Sequence, residues 1–475
     1  MPLVAGIDSS TQATKIEVRD ADTGELVATG RAPHPRTTPP RSEQDPAAWE
    51  MALAAAWAAS GQPPVKAVAV AGQQHGMVAL DEAFRPVRPA KLWNDTESAD
   101  DATWLLDQLG GGETGARAWA ERVGSVPLAA FTITKLSWLH RTEPEHWARL
   151  ARVCLPHDYL TYRLTGRFVT DRGDASGTGY WSPAEGRYRR DVLDLVDNQR
   201  DWSGALPEVL GPSEAAGDAT SVFAGSPVVA AGTGDNMAAA LALALALGPG
   251  DSVLSFGTSG TAYAVSKVPT HDASGAVAGF ADATGRFLPL ACTLNAAGVL
   301  DVMARLLGVD LEGLDRLAME GDPLAGVVLV PYFDGERTPN RPDATGLLTG
   351  LRSSTTPADV ARAAVDGVVC GLLDARDQLG QLVPVDGRTF VIGGGARSSA
   401  LGQSVADLAD AEAVVPDATE LVAAGACVQA ASVLRGLAPE EVATQWHLSS
   451  GHTVKPRQGV ERGAVRRAYA MASDR

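Results

Sequence analysis

Short apolar runs alternate with polar turns and with longer amphipathic stretches along most of the chain. Residues 4–7 form an apolar run, residues 8–12 are polar and residues 14–19 resume with the two-residue period of a strand, which predicts a hairpin. Helices are predicted at residues 45–58, 98–109, 359–379 and 399–411. Strands that alternate with helices favour stacked α/β layers over an all-α or all-β protein.

The layout of the first hairpin occurs a second time. Residues 252–256 are apolar, residues 257–261 (GTSGT) form a turn and residues 262–266 alternate again. The apolar runs 65–71 and 389–392 likewise each lead into a glycine-containing segment. Two halves of similar construction are therefore predicted, with chance as the alternative because glycine turns after strands are common. We place the joint at residues 247–250 (LGPG), which gives an N-terminal domain of residues 1–247 and a C-terminal domain of residues 248–475.

Composition narrows the class of protein. A chain of 475 residues exceeds a single hydrophobic core, and a net charge of −17 without a basic block argues against nucleic acid or an anionic membrane as partner. The apolar run 237–247 is too short for a membrane span, which needs about 20 residues, so it predicts a buried helix. The four cysteines are far apart and the N-terminus lacks a basic export signal, so reduced core cysteines and a cytoplasmic protein are expected.

Several polar residues at the ends of predicted strands could carry chemistry. Asp8 precedes a Ser-Ser-Thr-Gln turn whose hydroxyls and amides could hold phosphate oxygens and Mg²⁺, although Asp8 could equally be an ordinary turn residue. Asp235 follows a Gly-Thr-Gly turn and is a candidate base or a helix N-cap. His75 could bind sugar hydroxyls or be a structural histidine. Ser398 or Ser399 could cap a helix beside a glycine triplet that lets a ligand approach.

The usual nucleotide and hydrolase motifs are missing from the sequence. It contains no GxxxxGK[ST] loop, no HExxH pair and no GxSxG elbow, and its glycine triplet lacks GxGxxG spacing. Phosphoryl transfer requires in-line positioning, neutralisation of phosphate charge and a base, and the residues above could supply each of these. An ATP site in this chain would therefore be of another type.

Along almost its whole length the chain resembles the FGGY carbohydrate kinase family. Residues 346–351 (GLLTGL), with 359–360 and 363–366 (AAVD), fit the family's C-terminal signature, and residues 135–139 (KLSWL) resemble the core of its N-terminal signature, from which Ala130 departs. Further similar segments are 72–76 (GQQHG), 92–95 (LWND), 156–159 (PHDY), 173–178 (GDASGT), 232–236 (GTGDN) and 331–339 (PYFDGERTP).

The resemblance implies two ribonuclease H-like (actin-like ATPase) domains that flank a catalytic cleft. It implies Mg²⁺-ATP as phosphoryl donor and a ketopentose, with D-xylulose favoured, as acceptor, and relatives of this kind are often homodimers. Asp235 would be the catalytic base for the O5 hydroxyl, and Asp8 would organise Mg²⁺ and the phosphates. The implied sugar contacts are Gln74, His75, Asp235 and Asn236. The implied phosphate contacts are Thr11, Lys15, Gly257 and Thr258, and the implied adenosine contacts are Gly394, Gly395 and Ser399.

Two positions depart from similar kinases. Many of them carry methionine at Gln74, so an extra amide beside the sugar leaves the choice of ketose open. Similar kinases often carry arginine at Glu97, so the loss of a contact or salt bridge is expected there. The alternatives are a kinase for another ketose or polyol such as ribulose, a catalytically silent sugar-binding regulator, and an actin-like or chaperone ATPase. Retention of Asp8 and Asp235 argues against the regulator.

Overall fold

The computed structural model describes residues 1–243, 248 and 250–474, which fold into two compact units. The first comprises the described residues of Met1–Leu245, with Lys267–Leu288 and Glu420–Leu448. The second comprises those of Ala246–Ser266, with Pro289–Thr419 and Ser449–Arg475. Two segments from the C-terminal half of the sequence thus belong to the first unit. The proposed joint at residue 247, and the predicted helix 237–247 from residue 244 onward, lie outside the described residues.

A mixed sheet forms the centre of the first unit. Its strands are β1 Leu3–Ser9, β2 Ala13–Asp20, β3 Leu26–Pro33, β4 Val65–Gly72, β5 Ala215–Asp218, β6 Val228–Ala230 and β7 Thr233–Gly234. Their order is β5-β6-β4-β1-β2-β3, and β7 pairs with β4. β1 and β2 form the predicted antiparallel hairpin, and β1 runs parallel to β4.

A sheet of the same design lies in the second unit. Its strands are β8 Ser252–Phe256, β9 Gly260–Ala264, β10 Phe287–Thr293, β11 Thr389–Ile392, β12 Ala413–Pro416 and β13 Gly451–Val454. Their order is β10-β9-β8-β11-β12-β13, with an antiparallel β8-β9 hairpin and β8 parallel to β11. The pairing directions match those of the first sheet strand by strand. The predicted internal repeat is confirmed.

The described residues include sixteen α-helices, among them all four that the sequence pattern predicts. They are α1 Pro46–Ala59, α2 Ala99–Gln108, α3 Gly112–Val123, α4 Thr132–Thr142, α5 Pro144–Arg149, α6 Pro156–Thr165, α7 Arg172–Ala175, α8 Arg190–Val196, α9 Asp235–Ala242, α10 Ala297–Leu307, α11 Leu311–Glu320, α12 Pro357–Gly380, α13 Ser399–Ala409, α14 Leu421–Arg435, α15 Pro439–Trp446 and α16 Arg462–Ser473. α12 begins two residues before its predicted start because Thr356 and Asp359 form a capping box around Pro357.

Short strands complete the secondary structure. They are Glu43–Gln44, Val78–Leu80, Ala90–Lys91, Arg152–Cys154, Val169–Asp171, Trp181–Ser182, Arg187–Tyr188, Glu208–Leu210, Ala278–Ala281, Val328–Val330 and Leu347–Thr349. Ala278–Ala281 continues the second sheet beyond β10, and the other ten strands form five two-stranded ladders outside the two sheets.

The α14 helix, from the late segment Glu420–Leu448, packs closely on β1 in the first unit. A Cβ atom at Gly6 would lie 2.0 Å from the carbonyl oxygen of Ala423 and 2.5 Å from the backbone nitrogen of Cys427, so glycine is required for this approach. All four cysteines are buried and free, as the sequence predicts.

In the part of the chain that the structure describes, no single helix is long and apolar enough to cross a membrane. The α14 and α15 helices satisfy the length and composition criteria only when counted together, and they are bent by 117° at their junction.

Candidate active site

Three neighbouring parallel strands end at one edge of the first sheet and bring the candidate residues together. Asp8 of β1 is in register with Ala71 of β4, and Thr233 of β7 is in register with the same Ala71. Gln74 therefore follows the end of β4, and Asp235 follows the end of β7 and lies beside Asp8. The carboxyl ends of parallel strands are a common location of ligand sites in α/β proteins.

Asp235 is the first residue of α9 but not its N-cap. The N-cap is Gly234, and the Asp235 carboxylate accepts a hydrogen bond of 2.8 Å from the backbone N–H of Asn236, so the N-cap alternative is wrong. Although part of its surface is open to solvent, desolvation by the surrounding protein, followed by the charge of Asp8, raises the pKa of Asp235 to about 7. A carboxylate that titrates near neutral pH is well matched to accept a proton from an alcohol as it attacks.

Asp8 is buried and faces Lys15. Its Oδ2 lies 3.4 Å from the Lys15 ammonium, which also donates a hydrogen bond of 2.8 Å to Glu420. Burial raises the pKa of Asp8 to about 6, against the charge of Lys15, which lowers it. Among the described residues, the other oxygen, Oδ1, has no hydrogen-bond partner. An unshared, buried carboxylate oxygen is a suitable ligand for a hard cation such as Mg²⁺.

Thr11 lies in the turn after Asp8, where protein groups already use its hydroxyl. The Trp93 indole donates a hydrogen bond of 2.9 Å to Thr11 Oγ1, which donates in turn to Gln73 Oε1 over 3.3 Å. These hydrogen bonds hold the turn in place, and the phosphate contact of Thr11 remains a prediction.

The predicted sugar contacts Gln74 and Asn236 form one hydrogen-bonded group with Asp235. The amide nitrogen of Asn236 donates to Gln74 Oε1 over 2.9 Å and to Asp235 Oδ1 over 3.0 Å. Asn236 thus holds the carboxylate while Gln74 holds Asn236. The three side chains present donors and acceptors that suit a polyhydroxylated ligand.

His75 is held in an unusual backbone conformation. Its φ is +65°, and its Nδ1 lies 2.7 Å from the carbonyl oxygen of Gly177, so Nδ1 carries a proton and donates it to that oxygen. The ring also packs edge-to-face against Phe131 and at a tilt of 43° against Phe280, with centroid distances of 4.9 Å and 5.5 Å. The structural interpretation of His75 therefore holds, and its sugar contact remains a prediction.

In the second unit, the two predicted glycine segments lie side by side. Because β8 and β11 are parallel neighbours, Gly257 and Thr258 after β8 emerge beside Gly394 and Gly395 after β11. A Cβ at Gly395 would lie 2.8 Å from Phe256 Cβ, whereas one at Gly394 would meet nothing within 4 Å among the described residues. Gly395 is therefore needed for packing, and Gly394 leaves space.

One of the two candidate serines is the N-cap of α13, the helix that follows the glycine segment. Ser398 is the N-cap and accepts a hydrogen bond of 3.0 Å from the backbone N–H of Leu401, while Ser399 is the exposed first residue of the helix. Asp315 also accepts a hydrogen bond from the Ser398 hydroxyl. Ser399 is thus left at the surface, where an adenosine contact remains a prediction.

Glu97 makes salt bridges of its own, while the loss of the contact or salt bridge that arginine makes in similar kinases stays a prediction. Glu97 pairs with the fully buried Lys91 at 2.6 Å and with Arg41 at 3.0 Å. Glu43 and Asp95 surround the same lysine at 3.1 Å and 3.0 Å. The spacing of these three carboxylates would suit a metal ion, but the Lys91 ammonium fills the space between them.

A buried charged cluster beside this edge was given no role by the sequence reasoning. His157 is fully buried, with Nδ1 2.7 Å from Asp174 Oδ2 and Nε2 3.1 Å from Asp158 Oδ1, and Asp171 lies 3.9 Å away. Burial opposes the positive charge, but Asp158, Asp174 and Asp171 together raise the pKa of His157 to about 9. The segments PHDY and GDASGT, quoted above for the family resemblance, were the signal, since they contain three of these four residues.

Comparisons with known proteins agree with this geometry. Residues 3–242 match the N-terminal domain, and residues 252–434 the C-terminal domain, of the FGGY family of carbohydrate kinases. A xylulose kinase of Streptomyces coelicolor is 48% identical over 457 residues, 95% of this chain and 92% of that protein. A xylulose kinase of Escherichia coli is 37% identical over 85% of this chain and 84% of that protein.

Solved structures give the same result. The crystal structure of xylulose kinase from Bifidobacterium adolescentis is 40% identical and superposes with a TM-score of 0.85 over 99% of each chain. The fold predicted from the sequence, two actin-like α/β domains, is confirmed. The chain is a carbohydrate kinase that belongs to the FGGY family.

Proposed function

We propose that this kinase transfers the γ-phosphoryl group of ATP to the O5 hydroxyl of D-xylulose. The observation that carries the proposal is Asp235, a carboxylate with a pKa of about 7 that is held by Asn236 and shares its sheet edge with Asp8. Similarity to relatives named xylulose kinases, two of them at 48% identity, supports the choice of sugar.

Asp235 acts as the general base in this proposal. As O5 attacks the γ-phosphorus, its proton passes to the Asp235 carboxylate, and ADP leaves with the bond to the β,γ-bridging oxygen broken. Gln74, His75 and Asn236 orient the ketose by hydrogen bonds to its hydroxyls, so that O5 meets the phosphorus in line.

Mg²⁺ would neutralise phosphate charge when bound, and Asp8 would hold it. The unshared Oδ1 of Asp8 fits that role, since Mg²⁺ in nucleotide sites usually takes one or two carboxylates together with phosphate oxygens. Lys15, 3.4 Å from Asp8, would add positive charge for the phosphates. Thr11 in the first unit and Gly257 and Thr258 in the second are the proposed phosphate contacts.

The glycine segment of the second unit is the proposed adenosine site. The open space at Gly394 and the exposed Ser399 at the start of α13 support it, because a helix N-terminus and a bare backbone allow close approach of a nucleotide. A cytoplasmic location and a homodimer also remain our proposals.

A coupled assay of ADP release tests the proposal directly. The protein is supplied with Mg²⁺-ATP and, in turn, D-xylulose, D-ribulose, L-ribulose, glycerol and gluconate, and each product is identified by mass. Clear preference for D-xylulose is the expected result. Preference for another ketose would leave the proposed mechanism intact and would indicate that Gln74, whose amide many similar kinases lack, determines the sugar preference. No activity with any sugar would refute the proposed function.

A further inference from the structure

The backbone of His75 has a conformation that is uncommon for a non-glycine residue. Its φ of +65° lies in the left-handed region, which is unfavourable for a residue with a side chain, so the surrounding contacts must hold it there. One of them comes from the fully buried Thr132, whose hydroxyl donates a hydrogen bond of 3.1 Å to the His75 carbonyl oxygen. Strained residues of this kind cluster at functional sites. The neighbours that hold His75 are therefore candidates for a role in the site.

Two phenylalanines pack against the His75 ring and against each other. Phe131 meets the ring edge-to-face with the centroids 4.9 Å apart, and Phe280 meets it at a tilt with the centroids 5.5 Å apart. The centroids of the two phenylalanines are 6.1 Å apart, and both side chains are buried. Phe131 is the N-cap of α4 and directly precedes Thr132. The same short segment therefore holds both the ring and the backbone of His75.

A backbone turn contacts another side of the ring. Gly177 lies in the one-turn 3₁₀ helix Ser176–Thr178, and its carbonyl oxygen accepts the hydrogen bond of 2.7 Å from His75 Nδ1. A Cβ atom at Gly177 would lie 2.7 Å from both Nδ1 and Cε1 of this ring, whereas its next neighbour among the described residues, Gln74 Nε2, would be 3.6 Å away. The His75 ring alone therefore requires glycine at this position.

The Phe280 contact depends on a segment from the C-terminal half of the sequence. This segment, Lys267–Leu288, belongs to the first unit. Directly after Phe280, the backbone N–H of Ala281 donates a hydrogen bond of 2.9 Å to the hydroxyl of Ser176, the residue before Gly177. The phenylalanine and the glycine that contact the histidine are therefore also held to each other.

We propose that Phe131, Gly177 and Phe280 are positioning residues that fix the His75 ring for its contact with the ketose. The inference rests on the proposed sugar contact of His75 and adds three residues that act through it. With Nδ1 bound to the Gly177 carbonyl, a hydrogen bond between the ring and a sugar hydroxyl must be made by Nε2. The position of Nε2 depends on the rotation of the ring, which the two phenylalanines and the glycine restrict. The packing of His75 and its sugar contact are thus two parts of one arrangement.

The variant Gly177→Ala tests this inference with a change that acts on the His75 ring. The added methyl group displaces the ring by about 0.7 Å, from 2.7 Å to an ordinary contact of 3.4 Å. Because a misplacement of about 1 Å can cost on the order of 10²-fold in rate, we expect kcat/KM for the sugar that the wild type phosphorylates fastest to fall by about 10- to 100-fold. KM for ATP should change by less than about twofold. Gly371→Ala in α12 is the matched control and should keep wild-type kinetics, since its Cβ would meet nothing closer than 3.5 Å among the described residues.

A second background shows whether the loss passes through the ring. In His75→Ala the methyl group added at position 177 meets no imidazole, so Gly177→Ala should cost less than about threefold in kcat/KM for the sugar there. Equal losses in the two backgrounds would overturn the proposal, as would wild-type kinetics of the single variant Gly177→Ala.

Thermal unfolding accompanies each variant, because a buried change can also damage the fold. If Gly177→Ala lacks the native unfolding transition, or if His75→Ala is too slow to measure, the pair Phe280→Leu and Phe280→Ala decides instead. Leucine keeps most of the packing against the ring, so Phe280→Leu should lose clearly less kcat/KM for the sugar than Phe280→Ala, with KM for ATP the same in both. Equal losses would overturn the proposal.

The single variant His75→Ala separates the two claims. Wild-type kcat/KM for the sugar in this variant would refute the proposed sugar contact itself. An impaired His75→Ala beside a normal Gly177→Ala would refute only the positioning role.

Discussion

Replacing Asp235 by asparagine should make the ligand-free protein more stable at pH 8 while it abolishes sugar phosphorylation. Burial and the nearby charge of Asp8 raise the pKa of Asp235 from 3.8 to about 7. The ionised carboxylate is therefore unfavourable in the native state, and this cost to stability is a physical consequence of holding a base that titrates near neutral pH.

The sign and size of this change in unfolding free energy follow from proton linkage. Between about pH 4 and pH 7 the native state binds a proton at Asp235 that the unfolded state has lost, so the free energy of unfolding falls as pH rises through that window. The full cost is present above pH 7. The rise from 3.8 to about 7 corresponds to about 4 kcal/mol as an upper bound. Because Asp235 is partly exposed to solvent, we expect a gain of about 1–2 kcal/mol.

Thermal and denaturant unfolding at pH 5 and pH 8, without ATP or sugar, measure this gain. The stability difference between Asp235→Asn and the wild type should be larger at pH 8 than at pH 5. Asp301→Asn is the matched control, because Asp301 lies exposed within α10 and loses the same charge. An Asp235→Asn protein less stable than the wild type at pH 8, or a difference that does not grow with pH, would refute the reasoning.

Further predictions concern activity and packing. The kcat/KM of the wild type for its sugar should fall about tenfold per pH unit below about pH 7, as Asp235 becomes protonated, and a flat profile from pH 5 to 8 would count against the base. Gly6→Ala should cost about 1–3 kcal/mol or more in unfolding free energy, because its Cβ would lie 2.0 Å from a carbonyl oxygen of α14. Gly394→Ala should leave the unfolding temperature unchanged, since its Cβ meets nothing within 4 Å among the described residues, but raise KM for ATP. Glu97→Gln should lower the unfolding temperature through its two salt bridges and leave kcat unchanged.

Local pattern predicted the elements well because their causes are local. The hairpin at β1 and β2 follows from two-residue alternation, and α12 follows from its apolar period and capping residues. Asp8 and Asp235 could be singled out because each follows an apolar run in the sequence, which predicts a position at a sheet edge. The competing possibility that Asp235 is an N-cap could not be decided from the sequence, since a shift of one residue makes Gly234 the cap.

Features that depend on distant contacts could not be predicted. Lys15 pairs with Glu420, more than 400 positions later, because the segment Glu420–Leu448 folds back into the first unit. Nothing in the composition of that segment indicates where it packs. The burial of the His157 cluster could not be predicted for a similar reason. Histidine and aspartate in a polar segment are usually solvated, and only the packing of α6 and α7 buries them together.

The most direct test of the central claim follows phosphoryl transfer from γ-labelled ATP to D-xylulose by wild type and Asp235→Ala in a single turnover. The product is identified by mass and by phosphorus–carbon coupling in its NMR spectrum. We expect D-xylulose 5-phosphate from the wild type, and transfer slower by about 10²- to 10⁴-fold from the variant, with ATP binding retained. Near-wild-type transfer by Asp235→Ala, or phosphate on a hydroxyl other than O5, would contradict the account.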